Sequence, residues 1–258
     1  DYWGIGKASQ PMLPSIMIPT TAGTGSECQS FALIADDATH QKMACGDPKA
    51  MAKVAILDPE LTFSQPARVT ACTGIDAIAH AVETAVTRKR NETSLKYSRA
   101  AFQIMLESFS RVLESPDDLH ARGQMLLGAA YAGTAIEHSM LGAAHSAANP
   151  LTAHYNVVHG QAVGMMLPHV VRFNAERDEA LETYVELVAI GNLGQAENGD
   201  EAVERLAKRL TQLLEMADMP VTLKASGVEE SMLSTLASEA AGQWTASYNP
   251  REAAEAEM

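Results

Sequence analysis

Asp76 and His80 stand four residues apart in Thr73-Gly74-Ile75-Asp76-Ala77-Ile78-Ala79-His80-Ala81-Val82-Glu83, an alanine-rich apolar run with helical periodicity. On a helix that spacing stacks two side chains on one face, with their Cβ atoms about 5–6 Å apart. A carboxylate and an imidazole so placed can reach one divalent cation, each offering a donor at about 2.0–2.2 Å. Alone, such a pair is also a common solvated ion pair of small energetic worth. A second stretch adds weight, since His145, His154 and His159 lie between Gly142 and Gly160. His145 and His159 are fourteen residues apart, about 21 Å along an unbroken helix, so the chain must fold back if they are to share an ion. Asn149-Pro150 is the expected break, because proline lacks the amide donor and disfavours helical geometry at the residue before it. Asp76, His80, His145 and His159 would then form a cage of three imidazoles and one carboxylate.

Imidazole-rich sites accept Fe, Zn, Ni or Cu, and a cation held with an open position acidifies a bound hydroxyl or water. Glu83, one turn beyond His80, is expected to orient a ligand from behind. It is also the one nearby carboxylate that a hydrolase or lyase built on the same cage would need as a base. A third use of the cage is a metal that only ties helices together. His40, His120 and His138 fall in polar surroundings and read as surface residues, and His169, after Pro168, reads as a helix-start histidine outside the cage. His154 divides evenly between pocket lining and packing. The thirteen methionines, Met165-Met166 among them, read as core filler.

The elements that must position these groups are of two kinds. Ser15-Ile16-Met17-Ile18-Pro19 reads as a short buried strand emptying into the glycine-rich turn Thr20-Thr21-Ala22-Gly23-Thr24-Gly25-Ser26-Glu27. Free backbone amides and small residues there allow a ligand, often a phosphate, to approach the main chain, although the turn lacks the lysine of a Walker A loop and does not fit GxGxxG. A plain tight turn explains its glycines equally well. Phe31–Ala35 and Lys42–Cys45 flank a polar tip at 36–40 and read as a β-hairpin, and Val54-Ala55-Ile56-Leu57, stopped by Asp58-Pro59, as a central strand. From about Phe63 the periodicity is helical. Helices are expected over Thr93–Leu113, from a cap at Ser115-Pro116 to about Met140, and over Asp178–Ile190, Asp200–Met216 and Glu229–Ala241. The expected organisation is an α/β, strand-rich unit at 1–62 followed by an all-α, metal-binding unit at 63–258.

Composition narrows the partners. A net charge of −13 argues against nucleic-acid backbones and anionic membrane surfaces, both of which demand clustered Lys and Arg. No apolar run reaches the 18 or so residues of a membrane span. Cys28, Cys45 and Cys72 form no CxxC pair, so a disulfide framework is not expected and a reducing, cytoplasmic setting is. The chain opens without an initiator methionine and ends uncapped in an acidic helical pattern, which reads as a fragment of a longer protein.

Pro19-Thr20-Thr21-Ala22-Gly23-Thr24-Gly25-Ser26-Glu27, Thr73-Gly74-Ile75-Asp76-Ala77 with His80 and Glu83, His145, and His159-Gly160 with Leu167-Pro168-His169-Val170 occur in the order found in the iron-containing (group III) alcohol dehydrogenases, which the chain resembles along nearly its whole length. The resemblance implies a dehydroquinate synthase-like architecture, an α/β dinucleotide-binding domain followed by a helical domain with the metal in the cleft between them. It implies Asp76, His80, His145 and His159 as ligands of Fe(II), with Zn(II) as the alternative. It places Thr20, Thr21, Gly23, Thr24 and Lys42 at a nicotinamide cofactor, NAD or NADP. The implied reaction is hydride transfer between a small alcohol or aldehyde and the nicotinamide, in a homodimer. Two departures matter. Asn149 stands where many members have a further histidine, with His154 where others are usually aromatic, and the family's N-terminal GGGS-type pyrophosphate turn has no counterpart here, which implies on the order of a hundred missing residues.

Overall fold

A computed structural model of the chain describes residues 3–35 and 42–254. Five short strands come first: β1 (Gly4–Ile5), β2 (Ile16–Met17), β3 (Phe31–Ala35), β4 (Lys42–Gly46) and β5 (Val54–Ala55). The hairpin is present, with Phe31 opposite Gly46 and Ala35 opposite Lys42, and β1 adds in parallel along the other edge of β4. Its tip at 36–41 lies outside the described residues.

β2 and β5 pair in parallel, Ile16 beside Val54, and differ from expectation in their surroundings. Neither is buried. Ile16 is 63% exposed and Val54 48%, and among the described residues each strand pairs only with the other. A parallel pair is ordinarily covered by helices on both faces, and here, among the described residues, no α-helix follows until α1 (Ala67–Thr84), which packs elsewhere.

Seven further helices follow α1: α2 (Glu92–Glu114), α3 (Leu119–Ser139), α4 (Ala143–Tyr155), α5 (His159–Asn174), α6 (Asp178–Ile190), α7 (Gly199–Met216) and α8 (Leu233–Ala241). The strands-then-helices fold class is as expected. α1 is the axis, packed against α2, α3 and α5. Beyond its exposed first turn it is enclosed on every side, and its residues from Ala77 to Val82 are within the core. Gly74 gives Phe109 and Met125 room, since a Cβ there would lie 2.8 Å from the Phe109 ring. Phe102, Phe109, Leu126 and Leu151 are fully buried, each contributing about 1.5–3 kcal/mol by leaving water.

Three helix ends differ from the sequence reading. Ser115 closes α2, and Asp118 caps α3 by accepting from the Ala121 amide at 2.9 Å, because Pro116 and Asp117 are used in the turn between them. α8 starts at Leu233, after a 3₁₀ turn at Glu230–Met232 takes up the residues before it. The third difference concerns the site: α4 runs straight through Asn149-Pro150. Proline in a helix interior costs about 3 kcal/mol, and burial of Ala144, Ala148 and Leu151 on the same helix offsets it. The chain turns instead at Asn156, whose φ of 52° ends α4 in the left-handed region that asparagine tolerates.

Candidate metal centre

Asp76 and His80 project from the middle of α1, His145 is the third residue of α4, and His159 is the first residue of α5. Two close approaches bring these elements together. At the start of α5, a Cβ on Gly160 would lie 2.0 Å from the Cys72 carbonyl oxygen and 3.3 Å from Asp76 Cβ, so only glycine lets α5 cross α1 there. On the other side the glycine-rich turn rests on α1, where a Cβ on Gly23 would lie 2.5 Å from that of Thr73.

Asp76 Oδ1 is 3.3 Å from His145 Nε2 and 3.9 Å from His159 Nε2. Donor atoms of Asp76, His145 and His159 all lie within 4.8 Å of one another. Two ligands of one ion, each about 2.2 Å from it, are at most about 4.4 Å apart, so a few tenths of an ångström of side-chain rotation bring the set into range. His80 stands beside this trio rather than in it. Its Nε2 is 3.5 Å from Asp76 Oδ2, and its ring stacks on His145 with centroids 4.8 Å apart. The break expected within α4 was therefore unnecessary, since the turn at Asn156 to Val158 reverses the chain.

Burial opposes charge on Asp76, yet His80, His159 and His145 overcome it and hold the carboxyl well below its ordinary range. Burial pushes His80 down, against the attraction of Asp76. Burial also opposes charge on His145, but Glu83 and Asp76 outweigh it and raise the imidazole to about 9. Asp76 Oδ1 and His145 Nε2 are buried and find no hydrogen-bond partner among the described residues. A divalent cation between a carboxylate and imidazoles satisfies both at once, so the donor set fits the group that the ligand chemistry implies.

Behind the trio, Glu83 is 2% exposed and uses both oxygens: Oε2 lies 2.5 Å from His145 Nδ1, and Oε1 accepts from the Ala144 amide at 2.7 Å. This is the orienting place expected of it, turning Nε2 of His145 toward Asp76. Both oxygens are engaged, so Glu83 is placed to orient His145 rather than to serve as the base that the hydrolase or lyase use of the cage called for.

The remaining candidates divide. Thr20 and Thr24 are exposed and Thr21 half-buried, and Thr24 Oγ1 accepts from the Ser26 amide at 3.3 Å and from its hydroxyl. The backbone of Lys42 pairs with Ala35 in the hairpin, and its side chain lies outside the described residues. His154 is exposed and pairs with Glu239 at 2.9 Å. Asn149 is half-buried and donates to Gln243 Oε1 at 3.2 Å. His120 and His138 are exposed, as expected, and His40 lies outside the described residues. His169 sits inside α5, exposed, rather than at a helix start, because the helix begins ten residues earlier at His159 and accommodates Pro168.

A short strand-rich unit whose glycine-rich turn abuts a helical bundle, with a buried carboxylate–imidazole cluster in the bundle, defines a protein of dehydroquinate synthase-like fold with a metal-ligand set. The chain belongs to the iron-containing alcohol dehydrogenase family: the model of that family matches residues 1–59, and the model of its C-terminal part matches residues 70–258. The NAD-dependent methanol dehydrogenase of Bacillus methanolicus is 32% identical over 259 residues, 98% of this chain and 66% of that protein. Among solved structures, the alcohol dehydrogenase from Oenococcus oeni superposes with a TM-score of 0.93 at 29% identity, covering 98% of this chain and 66% of that one. The sulfoacetaldehyde reductase from Bifidobacterium kashiwanohense, in complex with NAD+, gives a TM-score of 0.87 at 25% identity, covering 99% and 66%. The chain thus spans about two thirds of the length of these relatives.

Proposed function

We propose that the chain is the metal-binding part of an NAD(P)-linked alcohol dehydrogenase or aldehyde reductase. Asp76, His145 and His159, with His80 alongside, are the proposed ligands of a divalent cation, Fe(II) by family and Zn(II) by the affinity of imidazole for it. The observation that carries this reading is the convergence of Asp76, His145 and His159 from three helices, with two buried atoms that meet no hydrogen-bond partner among the described residues. When bound, such a cation would acidify a substrate hydroxyl, and a nicotinamide cofactor would exchange the hydride.

This chain's own residues hold and orient. Glu83 fixes the His145 ring, and the bulk of α1, α4 and α5 keeps water from all but the His159 side, where that side chain is 31% exposed against 5% for His145. The turn at Thr20 to Thr24, set against α1 by Gly23, is the proposed contact for the cofactor, together with Lys42. Substrates are small alcohols and aldehydes, a class supported by the names of the relatives. We further propose the division at 1–62 and 63–258, a homodimer, and a reducing cytoplasmic setting, the last supported by three cysteines in no disulfide.

The test is direct. The protein, at the full length of its relatives and loaded with Fe(II) or Zn(II), is mixed with NADH or NADPH and short aldehydes, and the reduced cofactor's absorbance is followed. Loss of absorbance that disappears in His145→Ala is expected. Unchanged absorbance from protein with its metal fully bound would overturn the oxidoreductase reading.

A further inference from the structure

The free amides at the start of α4 are answered from far away in sequence. Ala144 donates to Glu83 on α1, while Ala143 donates at 3.2 Å to Oδ1 of Asn249, 104 residues beyond His145. Asn249 is 1% exposed and saturated. Its Oδ1 also accepts from Asn174 Nδ2 at 3.1 Å, and its Nδ2 donates at 2.7 Å both to Asn174 Oδ1 and to the Arg251 carbonyl. Asn174, itself 1% exposed, is the last residue of α5, the helix that His159 begins, and its Nδ2 also reaches the Tyr184 hydroxyl on α6 at 3.4 Å. One pair of reciprocally bonded amides therefore ties the first turn of α4 to the far end of α5.

We propose that Asn249 is a positioning residue for the metal centre, holding the α4 N-terminus, and through it His145, in register with His159 and Asp76. The inference rests on the metal reading above. Its physical basis is that Ala143 and His145 occupy the same helical turn, so the direction in which that turn enters the core sets where Nε2 of His145 arrives. Gly142 leaves no slack, since a Cβ there would lie 2.9 Å from Asn249 Oδ1 and 3.2 Å from Glu83 Oε1. The two acceptors clamp the helix start between them. A buried amide lattice suits this task better than an apolar contact, because its bonds are directional and a partly satisfied lattice is costly. Nothing in the sequence marks Asn249: it lies in Tyr248-Asn249-Pro250, which reads as a turn, and no spacing links it to His145.

The test separates positioning from stability. Wild type, Asn249→Ala and a control, Leu236→Ala, which truncates a buried residue on α8 and removes none of the lattice's hydrogen bonds, are stripped of metal and titrated with Co(II) against a chelator. The work is done well below the unfolding temperature, with folding checked by circular dichroism. Removing groups that orient metal ligands costs about 10–100-fold in affinity. The expected result is a loss in that range for Asn249→Ala, with an altered visible Co(II) spectrum, while Leu236→Ala unfolds more easily yet binds Co(II) like wild type. Equal affinity and spectrum in Asn249→Ala and wild type would overturn the proposal, as would equal losses in both variants. Should Asn249→Ala fail to fold, Asn174→Ala removes the same reciprocal bonds and is judged by the same criteria. Wild type that binds no Co(II) would overturn the metal reading, and this inference with it.

Discussion

Gly160 crosses Cys72 so closely that a methyl group on the glycine would lie 2.0 Å from the cysteine's carbonyl oxygen. Because that oxygen belongs to the backbone of α1, no rotamer change relieves the contact. Gly160→Ala must push α5 away from α1, at about 1–3 kcal/mol for overpacking. His159, its neighbour, moves with it. A lowered melting temperature together with lost metal retention is expected, and wild-type metal content in Gly160→Ala would show that the crossing does not set the site.

Glu83 links a buried amide to His145, so its two obvious replacements should differ. Glu83→Ala strands the Ala144 amide and frees the His145 ring, and should lower metal affinity about 10–100-fold while also destabilising the fold. Glu83→Gln keeps a carbonyl oxygen for one of the two contacts and should bind metal better than Glu83→Ala. Equal affinity in the two variants, measured by chelator competition, would refute an orienting role.

Proton and metal compete for His145. Its folded value is raised from 6.5 to about 9, so the metal-free folded chain retains a proton that the unfolded chain releases. That contribution is fully present below about pH 6.5 and is lost as the pH rises to about 9. Asp76 has the opposite sign: its folded value is lowered, so its contribution is present above the ordinary carboxylate range and lost on acidification. Denaturant titrations in a chelator should therefore show stability declining between pH 6.5 and 9. With excess Zn(II) the trend should reverse, because the ion binds the deprotonated imidazole and binding tightens as the pH rises. A pH-independent metal-free stability over that interval would contradict the assignment.

Removal of single histidines sorts the cluster. His145→Ala or His159→Ala should abolish metal retention, His80→Ala should weaken it, and His169→Ala, on the exposed face of α5, should leave it unchanged. Elemental analysis of the purified variants reads the result directly. Equal content in all four would mean that the ion, if bound, sits elsewhere.

Much of the arrangement was legible from residue order. Asp76 and His80 announce themselves by helical spacing, the hairpin by alternating runs around a polar tip, and the helices by apolar periodicity and caps. The misplaced features share one cause, which is that tertiary surroundings rather than local preference decided them. Pro150 signals a helix break, yet α4 continues because its buried face is worth more than the missing bond, and the reversal falls to Asn156. The apolar content of Ile16 and Val54 suggests buried strands, and both are exposed because no layer covers them.

The sequence by itself determined which side chains could bind a cation and which lay one helical turn apart, since those properties depend only on residue chemistry and a fixed helical rise. Tertiary structure alone decided that His159 reaches Asp76 across the Gly160–Cys72 crossing, that His80 stacks beside the trio, and that Asn249 answers an amide 106 residues before it. Those relations arise from packing between distant helices, where a methyl group or a single amide decides the fit, and no local spacing encodes them.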